Sequence, residues 1–268
     1  MNLKIIAAAA THIGCVRAEN EDNYFLNGKI YLAGMSEPII TDDTKGGIYA
    51  VCDGMGGEEN GGLASQIAVR VLSEFFEEIC KSGASFENAI TRYAENANAK
   101  ICEVMKSKNS GRMGTTFALL YICDNFAYMS NIGDSRIYLY KKPFMRKRQF
   151  TQISKDHTQA EQLIAMGSIT AEEAKTHPSR NKLTQHLGIF PEEMIIEPYI
   201  PNPIKIEKGD TFLLCSDGLT DMLTDEEIAD ILEVARDPAT AANQMIASAL
   251  HSGGRDNVTV VLVRVLSA

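Results

Sequence analysis

Residues 116–132 read TFALLYICDNFAYMSNI. Two apolar runs, Thr116 to Cys123 and Phe126 to Ile132, flank Asp124-Asn125, a pair suited to a two-residue hairpin turn. Arg136 to Tyr140 and Arg146 to Ile153 read as a second hairpin, turning through Pro143. Working outward, Ile48 to Cys52 is a short buried strand ending at Asp53, and Thr211 to Cys215 is another ending at Ser216-Asp217-Gly218. Asn257 to Val265 is rich in Val on both faces and is therefore expected at the centre of a sheet. Met1 to Ala10 imitates a signal peptide only faintly, with a single Lys before Ile5-Ile6 and four alanines, and reads as a strand. Helical periodicity marks Leu63 to Lys81 and Phe86 to Met105, the second capped by Ser85; each carries one apolar stripe. Thr158 with Glu161, Thr170 with Glu173 and Thr224 with Glu227 fit capping boxes, and Asp237-Pro238 opens a further helix that Gly253 closes. Strands joined by tight turns imply antiparallel sheets with paired helices outside them, unlike the strand–helix alternation of a Rossmann fold.

The chain has 268 residues, 26 Lys+Arg and 35 Asp+Glu, and a formal charge of −9. With 45% hydrophobic and 23% charged residues it is globular and long enough to bury a large core without staples. The negative balance argues against a nucleic-acid surface and suits a protein that gathers carboxylates around cations. Six cysteines show no C-x₂₋₄-C spacing, which leaves a zinc finger unsupported and a reducing, cytoplasmic compartment as the simplest inference. No window approaches the ~18 apolar residues that would span a membrane.

Three aspartates sit where buried strands meet loops: Asp53 before Gly54-Met55-Gly56-Gly57, Asp217 before Gly218, and Asp256 ahead of the last strand. A strand end holds a carboxylate rigidly while aiming it into a shared cleft, and hard divalent cations prefer such oxygen ligands. In Gly14 to Asn23, Arg17 stands beside Glu19, Glu21 and Asp22; a guanidinium matches a phosphate bidentately. Gly54-Met55-Gly56 lacks the third glycine of a dinucleotide loop. No P-loop, H-E-x-x-H or G-x-S-x-G occurs, and the five histidines form no ligand-spaced pair.

Taken in order, these pieces resemble the metal-dependent protein phosphatase (protein phosphatase 2C) family in its compact bacterial form. Arg17 with Asn20-Glu21-Asp22-Asn23 is similar to its opening R-x-x-N-E-D motif, and Asp53 to Gly57 to its D-G-[MH]-G-G motif. Gly114-Thr115-Thr116, Ile132 to Arg136, Lys155-Asp156-His157-Thr158, Ser216 to Leu219 and Asp256-Asn257-Val258-Thr259 follow in the family's sequence. The resemblance implies an α+β fold: a four-layer α-β-β-α sandwich of two antiparallel sheets flanked by helix pairs, formed by residues 1–268 as a single domain with a flap at about 160–190. It implies two Mn²⁺ or Mg²⁺ ions and a weaker third. Asp53 would bridge the two ions, Asp217 and Asp256 would complete one site, and the Gly54 carbonyl would join the other. Glu21 and Asp22 would hold metal-bound waters, Arg17 would grip the substrate phosphate, and Asp134 with Asp217 would bind the third ion. The implied activity is hydrolysis of phosphoserine and phosphothreonine in proteins by a metal-bridging hydroxide, with Arg17, Asp53, Asp217 and Asp256 as the catalytic set. The expected partners are phosphorylated proteins made by a Ser/Thr kinase; a monomer that binds neither nucleic acid nor membrane is expected.

Animal members carry His where Met55 stands, so here a metal-bound water would protonate the leaving group. Gly28 to Gly47 exceeds the family pattern and reads as an extended loop or hairpin. The segment Ala165 to Leu187, with Thr176 to Asn181, resembles the flap beside the active site. Lys141, Lys142, Arg146, Lys147 and Arg148 read as a solvated hairpin tip, with a docking site for acidic phosphoproteins as the minority reading. Two alternatives stand beside the phosphatase: a phospho-dependent binding domain of the same fold with weak turnover, and a two-metal nuclease or small-molecule phosphatase.

Overall fold

The computed structural model describes residues 3–30, 39–43, 46–56, 60–81, 85–108, 111–142 and 147–267. The 116–132 segment forms the expected hairpin. Strands β8 (Phe117–Cys123) and β9 (Phe126–Ile132) pair antiparallel from Phe117↔Ile132 to Cys123↔Phe126. Asp124 takes φ 52° at the turn, a left-handed conformation that Asp tolerates better than most side chains.

One six-stranded sheet runs β12 (Ile204–Lys205), β9, β8, β5 (Gly47–Cys52), β2 (Asn23–Leu26), β3 (Lys29–Ile30). The other runs β11 (Gln149–Gln152), β10 (Arg136–Lys141), β13 (Thr211–Cys215), β14 (Val258–Ser267), β1 (Lys4–His12), β4 (Ile39–Asp43). Every pairing in both sheets is antiparallel, and the Val-rich last strand is central, between β13 and β1. A short ribbon, β6 (Gly54–Gly56) with β7 (Met113–Thr115), lies beside them.

Successive residues of each strand face different layers, which is why these strands are apolar on both sides. In β8, Leu119 packs with helices α1 (Asn60–Lys81) and α2 (Phe86–Lys108), while Leu120 joins Leu214, Val261 and Val263 between the sheets. In β13, Leu213 turns the other way, onto Ile228 and Leu232 of α6 (Asp225–Val234) and Met245 of α7 (Pro238–His251). Three apolar layers therefore separate four layers of structure, the α-β-β-α sandwich.

Local signals hold with small differences. Thr224 and Thr170 make complete capping boxes with Glu227 and Glu173, for α6 and α4 (Ala171–Ala174). Thr158 makes half of one: its side chain accepts from the Glu161 N–H at the head of α3 (Gln159–Ala165). The first long helix begins at Asn60, three residues before Leu63, because its opening turn is built by glycines packed against the chain at Glu21. The Gly28 to Gly47 stretch is not a local hairpin. Its first strand, β3, pairs with β2 in one sheet and its second, β4, pairs with β1 in the other. Residues 31–38 and 44–45, Gly57, Pro143 and Arg146 lie outside the described residues. The basic tip is not freely solvated: Lys141 pairs with Asp210, Lys142 with Glu233, and Arg148 with Asp230 and Glu233. Among the described residues no helix is long and apolar enough to cross a membrane.

Candidate metal centre

Strand ends from both sheets deliver acids to one end of the sandwich. Asp22 precedes β2 and Asp53 follows β5 in one sheet; Asp134 precedes β10, Asp217 follows β13, and Asp256 lies just ahead of β14 in the other. Backbone contacts fix each position. The Asp53 N–H donates to Thr116 Oγ1 (2.9 Å), and its carbonyl accepts from Thr115 Oγ1 (2.9 Å) and the Thr116 N–H (2.8 Å). Gly54 has no room for a side chain: a Cβ would lie 2.2 Å from the Gly61 carbonyl oxygen and 2.5 Å from that of Glu21. Glycine is therefore required for the chain to pass between the 21–22 segment and the start of α1.

The acids share one electrostatic neighbourhood. Burial, then the charges of Asp22, Asp217, Asp134 and Asp256, hold the Asp53 carboxyl well above its ordinary value. Burial, then Asp221 and Asp256, push Asp217 up to about 6, and its carboxyl hydrogen-bonds that of Asp53. Burial, then Asp217, holds Asp134 well up. Asp22 is pushed up to about 7 by burial, against the opposing hydrogen bonds of Ser216 and Thr259. Each shift has the same cause: a carboxylate stripped of water beside others of its charge favours its proton. Among the described residues, two arginines are set against this group. Arg17 Nη2 donates to Asp256 Oδ2 (2.6 Å), and Arg136, which opposes the rise at Asp134, is committed to Asp156 (2.7 Å).

Whether ions fit can be judged from the donor set. Among the described residues no three Asp, Glu, His or Cys side chains are closed on a common point. The electrostatic coupling requires only proximity, however, and it joins the acids of both sheets. Asp22 Oδ2 accepts from Ser216 Oγ (2.7 Å), while its Oδ1 is buried without a partner. An orphaned buried acceptor is costly unless something electropositive meets it. Repelling carboxylates plus that orphan oxygen are what a divalent-cation site offers when described by its protein atoms alone.

The remaining expected residues fall around this group. Arg17 sits on an exposed loop with its guanidinium over Asp256, and that hydrogen bond raises its pKa. Glu21 Oε1 accepts the Gly61 N–H (2.9 Å) and its carbonyl accepts Ser65 Oγ (2.6 Å), so it caps α1, while its charged neighbours are Arg17 and Glu19. Burial raises Glu21, against the N–H donors of Gly61 and Gly62. Met55 pairs with Gly114 across the β6–β7 ribbon.

A cleft of about 790 Å³ leads away from Asp134 and Asp217, walled by α3 and α4 of the flap segment and by the turn from α5 (Asp217–Thr220) into α6. Asp221, absent from the sequence-derived site, lines it, one helical turn from Asp217, and accepts from Arg180 Nη2 and Asn181 Nδ2 (3.0 Å each). The Asp217/Asp221 spacing was a readable signal, since i and i+4 share a helix face. Asp156, although part of a quoted motif, is turned to Arg136 and Gln152 and serves to fix β10.

The family model "Protein phosphatase 2C" matches residues 39–252. The serine/threonine phosphatase stp of Listeria innocua is 32% identical over 256 residues, 94% of this chain and 93% of that protein. The crystal structure of the Mycobacterium tuberculosis serine/threonine phosphatase PstP/Ppp superposes with a TM-score of 0.81 at 31% identity, covering 98% of this chain and all (100%) of that one. A structure of the PstP catalytic domain in complex with two manganese ions superposes with a TM-score of 0.78 at 30% identity, covering 98% and 100% of the two chains. With an acid-lined sandwich end, a family match over most of its length and these relatives, the chain belongs to the protein phosphatase 2C family.

Proposed function

We propose that the acidic end of the sandwich is the centre of a metal-dependent serine/threonine protein phosphatase, with Asp53, Asp217 and Asp256 holding two divalent ions and Gly54 contributing its carbonyl. The observation that carries this reading is the mutual elevation of Asp22, Asp53, Asp134 and Asp217, acids drawn from both sheets with little cationic compensation. The enzyme is a phosphoric monoester hydrolase that uses manganese and acts on phosphoproteins. When bound, two cations supply the Lewis acidity that ionises water near neutral pH.

The chain's own residues do the rest. Arg17, on an exposed loop beside Asp256, binds the phosphate of the incoming residue through two parallel N–H donors. Asp22 and Glu21 contact the ions through water; the buried, unpartnered Oδ1 of Asp22 favours this role. Asp134 with Asp217 takes a third, weaker ion. Met55 cannot supply a proton, so the leaving alkoxide draws it from solvent held at the centre. The 165–187 segment forms a flap whose cleft receives the residues flanking the phosphate.

In this reading Mg²⁺ can replace Mn²⁺, the substrates come from a Ser/Thr kinase, and residues 1–268 work as one domain and as a monomer. The cysteines stand as free thiols, which suits the cytoplasm. The test is phosphate release from a phosphothreonine peptide: turnover with Mn²⁺, none with chelator, and recovery when Mn²⁺ is restored. Absence of turnover at saturating Mn²⁺ would leave the phospho-dependent binding domain as the better account.

A further inference from the structure

The motif Asp256-Asn257-Val258-Thr259 contains a polar residue to which the metal centre gives no task. Asn257 is buried, 5% exposed, yet its side-chain amide is fully used. Nδ2 donates to the Ile13 carbonyl (2.9 Å) and to the Glu19 carbonyl (2.8 Å), and Oδ1 accepts from the Glu21 N–H (2.8 Å). All three partners belong to the irregular 13–21 loop, and the two carbonyls bracket Arg17. One amide therefore pinches the loop closed at both sides of the arginine while fixing the backbone of Glu21.

Other contacts press the same loop onto the same strand entry. The Cys15 N–H donates to the Gly254 carbonyl (2.7 Å), and Gly14, at φ 85°, lies so close that a Cβ would sit 2.3 Å from the Asp256 carbonyl oxygen. Asn20 Nδ2 reaches Thr11 Oγ1 (2.9 Å), which in turn meets Thr259 (2.7 Å). The Asn257 N–H itself donates to Asp256 Oδ1 (2.8 Å), while Asp256 Oδ2 takes Arg17. The Asp256-Asn257 dipeptide thus supplies a candidate ion-binding carboxylate and the clamp for the arginine loop on adjacent residues.

We propose that Asn257 is a positioning residue for substrate phosphate: it holds Arg17 in fixed register with the carboxylates of the metal centre. The proposal rests on the reading of Arg17 as the phosphate-binding group. Only an amide meets the requirement, because the site needs two donors and one acceptor in one plane. Aspartate keeps the shape but turns a charged oxygen toward two carbonyls; alanine leaves three backbone groups without partners.

The test is a double-mutant cycle on the Mn²⁺-loaded enzyme, using a phosphothreonine peptide as substrate and inorganic phosphate as competitive inhibitor. Asn257→Ala is expected to raise KM and the phosphate inhibition constant together by about tenfold, with a smaller effect on kcat. Arg17→Ala should do the same, and the Arg17→Ala/Asn257→Ala pair should be no worse than Arg17→Ala alone. Effects that multiply, or an Asn257→Ala enzyme that loses kcat at unchanged KM, overturn the proposal. An Arg17→Ala enzyme with unchanged KM instead removes the phosphate-binding reading of Arg17, and the clamp's proposed purpose with it. Should Asn257→Ala not fold, Asn257→Asp carries the same cycle. Hydrogen exchange on the unsubstituted protein gives an independent arm: the Glu21 amide should be protected despite its loop position, and exchange at an open-loop rate would refute the clamp.

Discussion

At the scale of single residues, the aspartates of the centre do not contribute alike. Asp217 hydrogen-bonds Asp53 and lies within the field of Asp256 and Asp134, so removing its charge weakens several shared positions at once. Asp217→Asn is expected to lower kcat about a thousandfold or more, with one fewer tightly bound Mn²⁺ by calorimetric titration. Asp134 faces the same group from its edge, beside Asp217 and Asp156. Asp134→Ala should keep the two-ion stoichiometry and lose a weaker third binding event; retention of that event at wild-type affinity would contradict its assignment. In the proposed reading Arg17 serves function rather than stability. Its side chain is 54% exposed and Asp256 36%, and such a pair contributes no more than about 1 kcal/mol. Arg17→Ala should therefore melt within a few degrees of the parent while its KM rises.

At the scale of elements, the site depends on close backbone passage as much as on side chains. Gly54→Ala would drive a Cβ against two carbonyl oxygens, one from the entry of α1 and one from Glu21. It should destabilise by about 3 kcal/mol and lower activity, both visible in a denaturant melt paired with an assay. Thr224→Ala, which breaks the capping box of α6, should cost about 1 kcal/mol in the same denaturant melt. These two positions also mark what could be read beforehand. The Thr224/Glu227 box is local: its atoms are three residues apart, and the pattern is visible in a short window. The same holds for the Asp124 turn, for the strand-ending aspartates and for the helix stripes. Contacts between distant segments carry no such trace. Glu21 caps a helix that begins 39 residues later, taking the Gly61 N–H 40 residues on. Asp22 meets Ser216 at a separation of 194, and Asn257 meets Glu21 at 236. Strand β4 likewise joins the sheet opposite to β3 because of which edge is open, and nothing in its own residues distinguishes the two edges.

At the scale of the whole molecule, the acidic end brings the two sheets together, and in the proposed reading its contribution depends on both pH and metal. Asp22 is raised from 3.8 to about 7 and Asp217 from 3.8 to about 6. Both take up protons on folding between those limits, so in the metal-free protein their contribution to stability is complete below about pH 4 and is lost as pH rises through 6 and 7. Divalent ions held as proposed would bind the ionised carboxylates and so act in the opposite sense, stabilising the folded state more as pH rises. His157 and His186, both lowered from 6.5 by burial, also oppose the acids, since their neutral folded forms are favoured at higher pH. The acid contribution must therefore be isolated by difference. Asp22→Asn keeps the side-chain volume and removes the charge. In chelator it should raise the melting temperature at pH 7.5, where the unfolded chain holds Asp22 ionised while the fold disfavours that charge, and raise it less at pH 5, nearer the unfolded value of 3.8. With saturating Mn²⁺ the parent should gain more at pH 7.5 than at pH 5, and Asp22→Asn should gain less than the parent at pH 7.5. Equal shifts for Asp22→Asn at the two pH values in chelator would mean that folding takes up no proton at Asp22 over that range, its carboxylate being as ionised in the folded metal-free protein as in the unfolded chain. The acidic end would then carry the Asp22 charge before any ion arrives, and the pH dependence of ion binding would have to come from the other acids.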